Sequence, residues 1–312
     1  MAGGQERVLR RRIRSVESTR KITKAMELIA ASRIVRATSR IAANRPYRDG
    51  MQRILRAVVE DDPNVAAKML GTPESPERVG IVAIVGDRGL AGSYNSGVLR
   101  ATERLVAEYQ RANVAVVVWS VGKKAPPYFR YRGIEVARSF TGMADRPEFV
   151  DAREVAAVVT APFLAGEIDL LQLISTRYMS AGTQRVETQQ LLPMPLPSDA
   201  THADGGVDDL PGTGGTGGSG AGGYTEFEPD GETLLAELAP RAAESEIFAA
   251  LLEGSAAFFT AQQRAMAAAT ENADELVRTL TRVMNRARQD AITTEIMEIV
   301  GGAEALRQSK GA

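Results

Sequence analysis

The sequence predicts an α/β protein. Its N- and C-terminal long helices pair as an antiparallel coiled coil, and a Rossmann-like, mostly parallel α/β domain lies between them. Three observations carry this prediction: a long helical stretch near the C-terminus, a basic amphipathic stretch near the N-terminus, and apolar strands alternating with helices in between. The expected segments are 1–60 for the first long helix, 78–192 for the α/β domain, 193–231 for a linker and 232–312 for the second long helix.

The C-terminal stretch 241–306 contains no proline, so it predicts one helix of about 100 Å, longer than a globular core can bury. Apolar residues alternate in steps of four and three, which is the spacing of a coiled-coil seam. The seam consists of Ala273, Val277, Leu280, Met284, Ala287 and Ala291. The phase then shifts by one residue to Ile292, Ile296, Ile299 and Ala303. We therefore expect the last turns to face a different surface from the rest of the helix.

The N-terminal stretch 5–56 predicts a second long helix with a strongly basic surface. It carries 15 Lys and Arg residues against four acidic ones. Its predicted apolar face consists of Leu9, Ile13, Val16, Ile22, Met26, Ile29, Ala30, Ile34, Ala37 and Ile41. Pro46 is expected to kink or break the helix near Arg45. Because both terminal helices have narrow apolar faces, the simplest arrangement pairs them antiparallel.

The middle of the chain alternates apolar runs with amphipathic segments. Strands are predicted at 79–85, 114–119, 134–140, 168–176 and 185–191, and helices at 96–111, 123–132 and 148–164. This alternation favours a mostly parallel sheet with helices on its faces. The following segment, 193–231, is rich in proline and glycine. Ten of the 19 residues from 205 to 223 are glycine, which predicts a flexible linker with no core of its own.

The composition excludes several kinds of chemistry. The chain has no cysteine, which removes disulfides, thiolate metal sites and a cysteine nucleophile. Its single histidine, His202, falls in the predicted linker, which argues against His-based acid–base catalysis. No apolar stretch approaches the length of a membrane span, and the first residues do not resemble a secretory signal. Chemistry that depends on a thiol or an imidazole is therefore not expected.

The glycine-rich turn after the first strand is the candidate site of the α/β domain. Its spacing is G-x-x-G-x-x-G, not the G-x-G-x-x-G of dinucleotide sites, and no acidic residue ends the second strand. A structural turn is therefore favoured, with Asp87 and Arg88 as a turn ion pair. A nucleotide-binding enzyme built on this domain stays open as an alternative. The candidate residues are Asp87, Arg88, Gly89 and Gly92.

The basic helix leaves a second alternative open, a coiled coil that binds nucleic acid. Against this alternative, the stretch has no aromatic residue before Tyr47, and no helix-turn-helix pattern follows it.

A basic stripe of Arg278, Arg282 and Arg286 on the second helix predicts a solvated, salt-bridged face. The alternative interpretation is that these three arginines bind an acidic surface of a partner protein.

Four groups of residues together resemble one family, the gamma subunit of the F-type rotary ATP synthase. The groups are Arg12–Val16 leading into Lys21–Arg33, Ala287–Gln289 with Ile292–Ala303, the D-R-G-L-x-G-x-Y-N run at Asp87–Asn95, and Met266–Asn272. The resemblance covers essentially the whole chain except the glycine-rich stretch. Ala91 stands where the family usually has cysteine. The insertion 205–223 is outside the general pattern, and we expect it to be dispensable.

The resemblance implies a non-catalytic rotor shaft without cofactors. One copy would turn inside a hexamer of alpha and beta subunits, while the α/β domain would sit with epsilon on the c-ring. The chain would transmit torque between proton flow and the nucleotide sites, and would regulate ATPase activity and hydrogen ion transport. Nucleic acid would not be a partner. The expected location is peripheral, at the cytoplasmic face of a bacterial cell membrane.

The resemblance also implies which residues contact the hexamer. Met26 with Lys24 and Arg33 would face acidic loops of beta. A second set on the last helix would contact the beta catch loop and the top of the hexamer. This set consists of Arg288, Gln289 and Thr293 for the catch loop, and Glu295 and Glu298 for the top.

Overall fold

The computed structural model describes residues 2–61, 75–194 and 231–310. The elements in order are α1 (Ala2–Asp61), β1 (Arg78–Ile84), α2 (Tyr94–Arg111), β2 (Ala115–Val121), α3 (Ala125–Tyr131), β3 (Arg138–Phe140), α4 (Phe149–Leu164), β4 (Leu170–Tyr178), β5 (Gln184–Leu192) and α5 (Gly231–Lys310). Most of the predicted linker, including His202 and the 205–223 insertion, lies outside the described residues.

The chain divides into two compact units. Unit 1 comprises residues 1–31 and 262–312, and unit 2 comprises residues 32–261. The described residues of unit 1 are all helical, whereas unit 2 contains the five-stranded sheet together with the remaining parts of α1 and α5. Within each unit the segments of α1 and α5 run antiparallel. Two contacts show this in unit 1, Arg20–Asp274 and Thr23–Thr270, and two in unit 2, Arg33–Phe259 and Arg48–Glu246.

The predicted seam of α5 is confirmed in unit 1. All six seam positions are buried or half-buried, with Ala273 and Leu280 each 8% exposed. After the predicted phase shift the apolar residues emerge to the surface, and Ile292 and Ile299 are 49% and 71% exposed. The shift therefore marks the point where α5 stops packing against α1.

The predicted apolar face of α1 is buried or half-buried at every position except Ile22 and Ile29. Ile22 and Ile29 are exposed, whereas Thr23 is buried at 8% exposure. The covered positions continue the four-three spacing of Leu9, Ile13 and Val16 through Arg20 and Thr23. Polar side chains thus occupy seam positions where apolar neighbours had suggested a different phase.

A polar layer crosses the coiled coil of unit 1 at these positions. The hydroxyl oxygens of Thr23 and Thr270 are 2.8 Å apart. One turn away, Arg20 Nη1 lies 2.7 Å from Asp274 Oδ1. Asp274 of α5 therefore pairs with Arg20 of α1 across the coil. Polar groups at seam positions favour the register in which they meet each other.

The sheet of unit 2 has the strand order β3-β2-β1-β4-β5. The first four strands are parallel, with Val82 opposite Trp119 on one side and Leu173 on the other. Strand β5 runs antiparallel to β4 at the edge. The predicted mostly parallel sheet is confirmed. The strand order changes direction between β1 and β4, which is where ligand crevices open in such sheets.

Helices cover both faces of the sheet. Helices α2 and α3 bury one face through residues such as Val98 and Phe129. On the other face, Val155 and Val159 of α4 pack together with Ile247 and Leu251 of α5. The long C-terminal helix is thus part of the core of unit 2.

Two local predictions differ from the structure. Strand β3 is shorter than predicted because the Ile134 N–H closes the end of α3 by donating to the Phe129 carbonyl at 2.9 Å. Of the two outcomes expected at Pro46, the break does not occur, because helix α1 continues through Pro46 to Asp61. Proline leaves the carbonyl four residues earlier without a helical partner. Ala42 and Pro46 are both exposed, so water can reach that carbonyl.

Candidate functional site

The turn after β1 is held in shape by one side chain. Asn95 Oδ1 accepts the Gly86 N–H at 2.8 Å, and Asn95 Nδ2 donates to the Arg88 carbonyl at 2.9 Å. Leu90 and Gly92 adopt the left-handed conformation, with φ of 61° and 53°. These bonds close the turn on itself.

Asp87 and Arg88 do not pair with each other, so the predicted turn ion pair is wrong. The Asp87 carboxylate accepts backbone N–H groups of Lys123 and Gly142, each at 3.1 Å, and of Ala144 at 3.3 Å. Arg88 Nε instead lies 2.9 Å from the carboxylate of Asp145. Both residues therefore fasten the turn to the loops that follow β2 and β3. The sequence had no local signal for this, since the acceptor and its donors are 36 to 57 residues apart.

The crevice beside this turn is filled by aromatic side chains. The rings of Tyr94 and Phe258 meet edge to face at 5.5 Å. A side-chain carbon added at Gly86 would lie 3.0 Å from Phe258. Burial, with the nearby charge of Asp145, raises the pKa of the Tyr94 hydroxyl well above its usual range. A phosphate would need the Gly86 N–H that Asn95 already occupies, so the geometry favours a structural turn. Within the described residues no cluster of metal-binding side chains is found.

The candidate contact residues of α1 have different surroundings. Lys24 is exposed, and its Nζ lies 3.1 Å from both carboxylate oxygens of Glu27. Met26 is half-buried. The Arg33 guanidinium stacks over the Phe259 ring at 5.2 Å from its centroid. Lys24 therefore presents its charge at the surface, whereas Arg33 is engaged with α5.

The candidate contact residues near the end of α5 are all at the surface. Arg288, Gln289, Thr293, Glu295 and Glu298 are exposed, and Thr293 Oγ1 bonds only back to the Gln289 carbonyl, at 3.0 Å. Apolar side chains in the same turns are also exposed, namely Ile292, Ile296, Met297, Ile299 and Val300. A contiguous exposed apolar surface of this kind is typical of a region that binds another protein. We call residues 288–300 the α5 end.

The sequence analysis missed a polar network in unit 2. The Glu246 carboxylate accepts hydrogen bonds from Arg48 and Gln52 of α1 and from Gln189 of β5. Glu253, two turns further along α5, also faces Arg48. The available signal was that Arg48 continues the four-three spacing of the α1 seam, where a charged residue needs a partner.

No helix in the described part of the chain combines the length and apolar character needed to cross a membrane.

The sequence profile of the family described as ATP synthase matches residues 5–306. The chain is 45% identical over 307 residues to the ATP synthase gamma chain of Parafrankia sp. (strain EAN1pec), covering 97% of this chain and 98% of that one. It is 39% identical over 308 residues to the ATP synthase gamma chain of Streptomyces coelicolor, covering 97% of each.

Solved structures share the fold. A chain of the mitochondrial ATP synthase of Euglena gracilis superimposes with a TM-score of 0.66 at 18% identity, covering 99% of this chain and 97% of that one. A chain of the central stalk and c-ring of the Tetrahymena thermophila mitochondrial ATP synthase gives a TM-score of 0.59 at 23% identity, covering 80% and 99%. With the family profile and the near full-length relatives, these findings establish that the chain belongs to the family of ATP synthase gamma chains.

Proposed function

We propose that this chain is the non-catalytic rotor shaft of an F-type ATP synthase, which transmits torque between the membrane c-ring and the catalytic hexamer of alpha and beta subunits. The observation that carries the proposal is the α5 end. There, apolar side chains that follow a buried coiled-coil seam are exposed on a chain of the gamma family. A bearing formed by other subunits would cover this surface.

The energetics support such a bearing. Fully burying a single large aliphatic side chain contributes about 1.5–3 kcal/mol relative to leaving it exposed. Ile292, Ile296 and Ile299 are each roughly half exposed or more. The charged and polar residues around them would orient the shaft, because charge complementarity governs specificity and the rate of association more than affinity.

The proposed partners are alpha and beta at the α5 end and at Lys24, and epsilon with the c-ring at the α/β domain. One copy of the chain would serve each complex. The similar chain of Euglena gracilis comes from an assembly of OSCP, F1 and the c-ring. We infer a peripheral position for this chain, at the cytoplasmic face of a bacterial membrane.

In this proposal the chain makes and breaks no covalent bond. Its asymmetric surface would contact three chemically identical catalytic interfaces differently, and so would favour a different conformation at each one. As the shaft rotates, each catalytic interface would in turn meet a different side of it and change conformation. Proton flow would thereby be coupled to nucleotide binding through these changing contacts. The closed turn at 86–95 would serve the folding of the α/β domain and no chemistry.

The test is the composition of the native complex. The tagged chain is isolated from membranes of its own organism, and each copurifying protein is quantified by mass spectrometry. Alpha and beta in equal amounts, each about three times the chain, together with epsilon and the c-ring, are expected from a single asymmetric shaft in a symmetric head. Recovery with nucleic acid, or without alpha and beta, would overturn the proposal.

A further inference from the structure

We propose that Arg48 is the residue that couples the α/β sheet to both long helices, so that the parts of unit 2 turn as one body under torque. The coupling involves Arg48, Gln52, Gln189, Glu246 and Glu253, which we call the Arg48 network. This inference rests on the proposed rotor function, because only a chain that carries torque needs such coupling.

Glu246 is the centre of the network. Arg48 Nε and Nη2 donate to its two oxygens at 3.0 and 2.9 Å, which is the bidentate arrangement of a strong ion pair. Gln52 Nε2 donates at 3.2 Å, and Gln189 Nε2 donates at 3.0 Å. One carboxylate on α5 thus holds two side chains of α1 and one of the edge strand β5.

Glu253 adds a second connection on the same face of α5. Its Oε1 lies 3.6 Å from Arg48 Nη1, and its Oε2 accepts the Tyr178 backbone N–H at 3.1 Å, where β4 ends. The Arg48 guanidinium therefore contacts two carboxylates that are themselves bonded to different strands. Among the hydrogen bonds described, this network joins α1, α5, β4 and β5.

The network is largely shielded from water. The side chains of Glu246 and Glu253 are 14% and 15% exposed, and that of Arg48 is 28% exposed. Burial lowers the pKa of the Arg48 guanidinium, but the charge and hydrogen bonds of Glu246, with the charges of Glu253 and Asp49, outweigh it and raise the pKa overall. Arg48 therefore stays charged, and limited screening keeps the attraction strong.

Apolar contacts surround the network and hold the same elements together. Ile247 and Leu251 pack on the sheet, and Met51 and Leu55 pack near Ala242. These interdigitated side chains also resist rotation of the helices, and the hydrogen bonds of the network add a directional restraint to them. Hydrogen bonds weaken steeply when their angles change. Directional bonds from several elements to one carboxylate therefore resist twisting of the helices against the sheet.

The experiment measures torsional stiffness in the assembled complex. The hexamer is fixed to a surface, a probe is attached to the α/β domain, and the variance of its angle is recorded while the rotor is paused. Arg48→Met removes two of the four hydrogen bonds to Glu246, so the angular variance of the probe should increase by up to about twofold. Arg132→Lys is the matched control, since Arg132 pairs with Glu103 inside the α/β domain alone, at 3.0 Å.

A milder variant keeps the test decisive if Arg48→Met does not assemble. Gln189→Met removes only the bond between β5 and Glu246, and a smaller increase in variance is expected. Unchanged variance in the assembled variants, or the same increase in Arg132→Lys, would overturn the role of Arg48. Failure of the proposed function gives a different result, because an unmodified complex would then show no ATP-driven rotation of the probe.

Discussion

The hydroxyl oxygens of Thr23 and Thr270 lie 2.8 Å apart across the coiled coil of unit 1. Each hydroxyl also lies within hydrogen-bond distance of a carbonyl of its own helix, Thr23 with Arg20 at 3.0 Å and Thr270 with Met266 at 2.8 Å. Each hydroxyl has a single proton, so the two threonines can donate only two hydrogen bonds. When one hydroxyl donates across the coil, the other is free to donate to the carbonyl of its own helix. The Thr23–Thr270 pair is therefore a polar contact within the otherwise mainly apolar seam of unit 1.

The first prediction concerns the coupling between these threonines. Thr23→Val leaves the Thr270 hydroxyl without its partner across the coil and should destabilise the chain by about 1 kcal/mol. Thr270→Val should do the same. The double variant should cost less than the sum, since both partners become apolar groups of the same shape. A double-mutant cycle from thermal unfolding checks this, and strictly additive costs would contradict it.

The fold could be predicted where apolar residues alone mark an element, and not where polar residues do. Ala273 and Leu280 revealed the seam of α5 because they recur at the coiled-coil spacing. The seam of α1 was lost at Arg20 and Thr23, because their burial depends on partners more than 240 residues away. A period of 3.5 maintained from Leu9 would have found them.

The candidate site shows the same limit. The residues of the turn after β1 were identified, but their roles were not. Asp87 bonds to loops that come together only when the parallel strands align. Glu246 and Arg48 each have the spacing of a helix face, yet which charge meets which depends on the register of two helices and a strand. Sequence spacing fixes a face, and tertiary packing fixes the partner.

The second prediction compares the two charged residues of that turn. Asp87→Ala removes the acceptor of three backbone N–H groups and should destabilise the α/β domain by about 1–3 kcal/mol. Arg88→Met should cost less than about 1 kcal/mol, because its side chain is 62% exposed. Urea unfolding of both variants measures the difference. Equal costs would mean that the ion pair with Asp145 matters as much as the backbone bonds.

The third prediction is a loss of stability in acid that depends on Asp169. Burial acts to raise the pKa of this carboxyl, but backbone N–H bonds from Arg78 and Glu77 and the charge of Arg78 outweigh it and lower the pKa below its ordinary value of 3.8. A lowered pKa stabilises the fold above the unfolded value, and that contribution disappears as pH falls through the folded value. The stability advantage over Asp169→Asn should therefore shrink below about pH 4. Unfolding at pH 3 to 7 tests it, and a constant difference would contradict it.

The fourth prediction has the opposite sign and concerns Glu253. Burial raises the pKa of this carboxyl above its ordinary value of 4.5, although Arg48 and the Tyr178 N–H oppose the change. A raised pKa stabilises the fold below the unfolded value, and that contribution is lost as pH rises through the folded value. Relative to Glu253→Gln, the unmodified chain should therefore lose stability as pH rises above 4.5. The same unfolding series measures this, and a difference that grows in favour of the unmodified chain would reverse the sign.

The fifth prediction separates the fold of the chain from its assembly. Ile296 is 55% exposed at the α5 end, so Ile296→Gln should change the free energy of unfolding of the chain by less than about 0.5 kcal/mol. If subunits of the complex cover this surface, the same change should weaken assembly, because a polar amide would be buried without a partner. Quantifying the alpha and beta subunits recovered with each variant measures the effect. Tyr131→Gln is the control, since Tyr131 is 84% exposed but lies in the α/β domain. Loss of alpha and beta with Ile296→Gln but not with Tyr131→Gln is expected, and equal recovery with both would show that the α5 end is not the surface the hexamer holds.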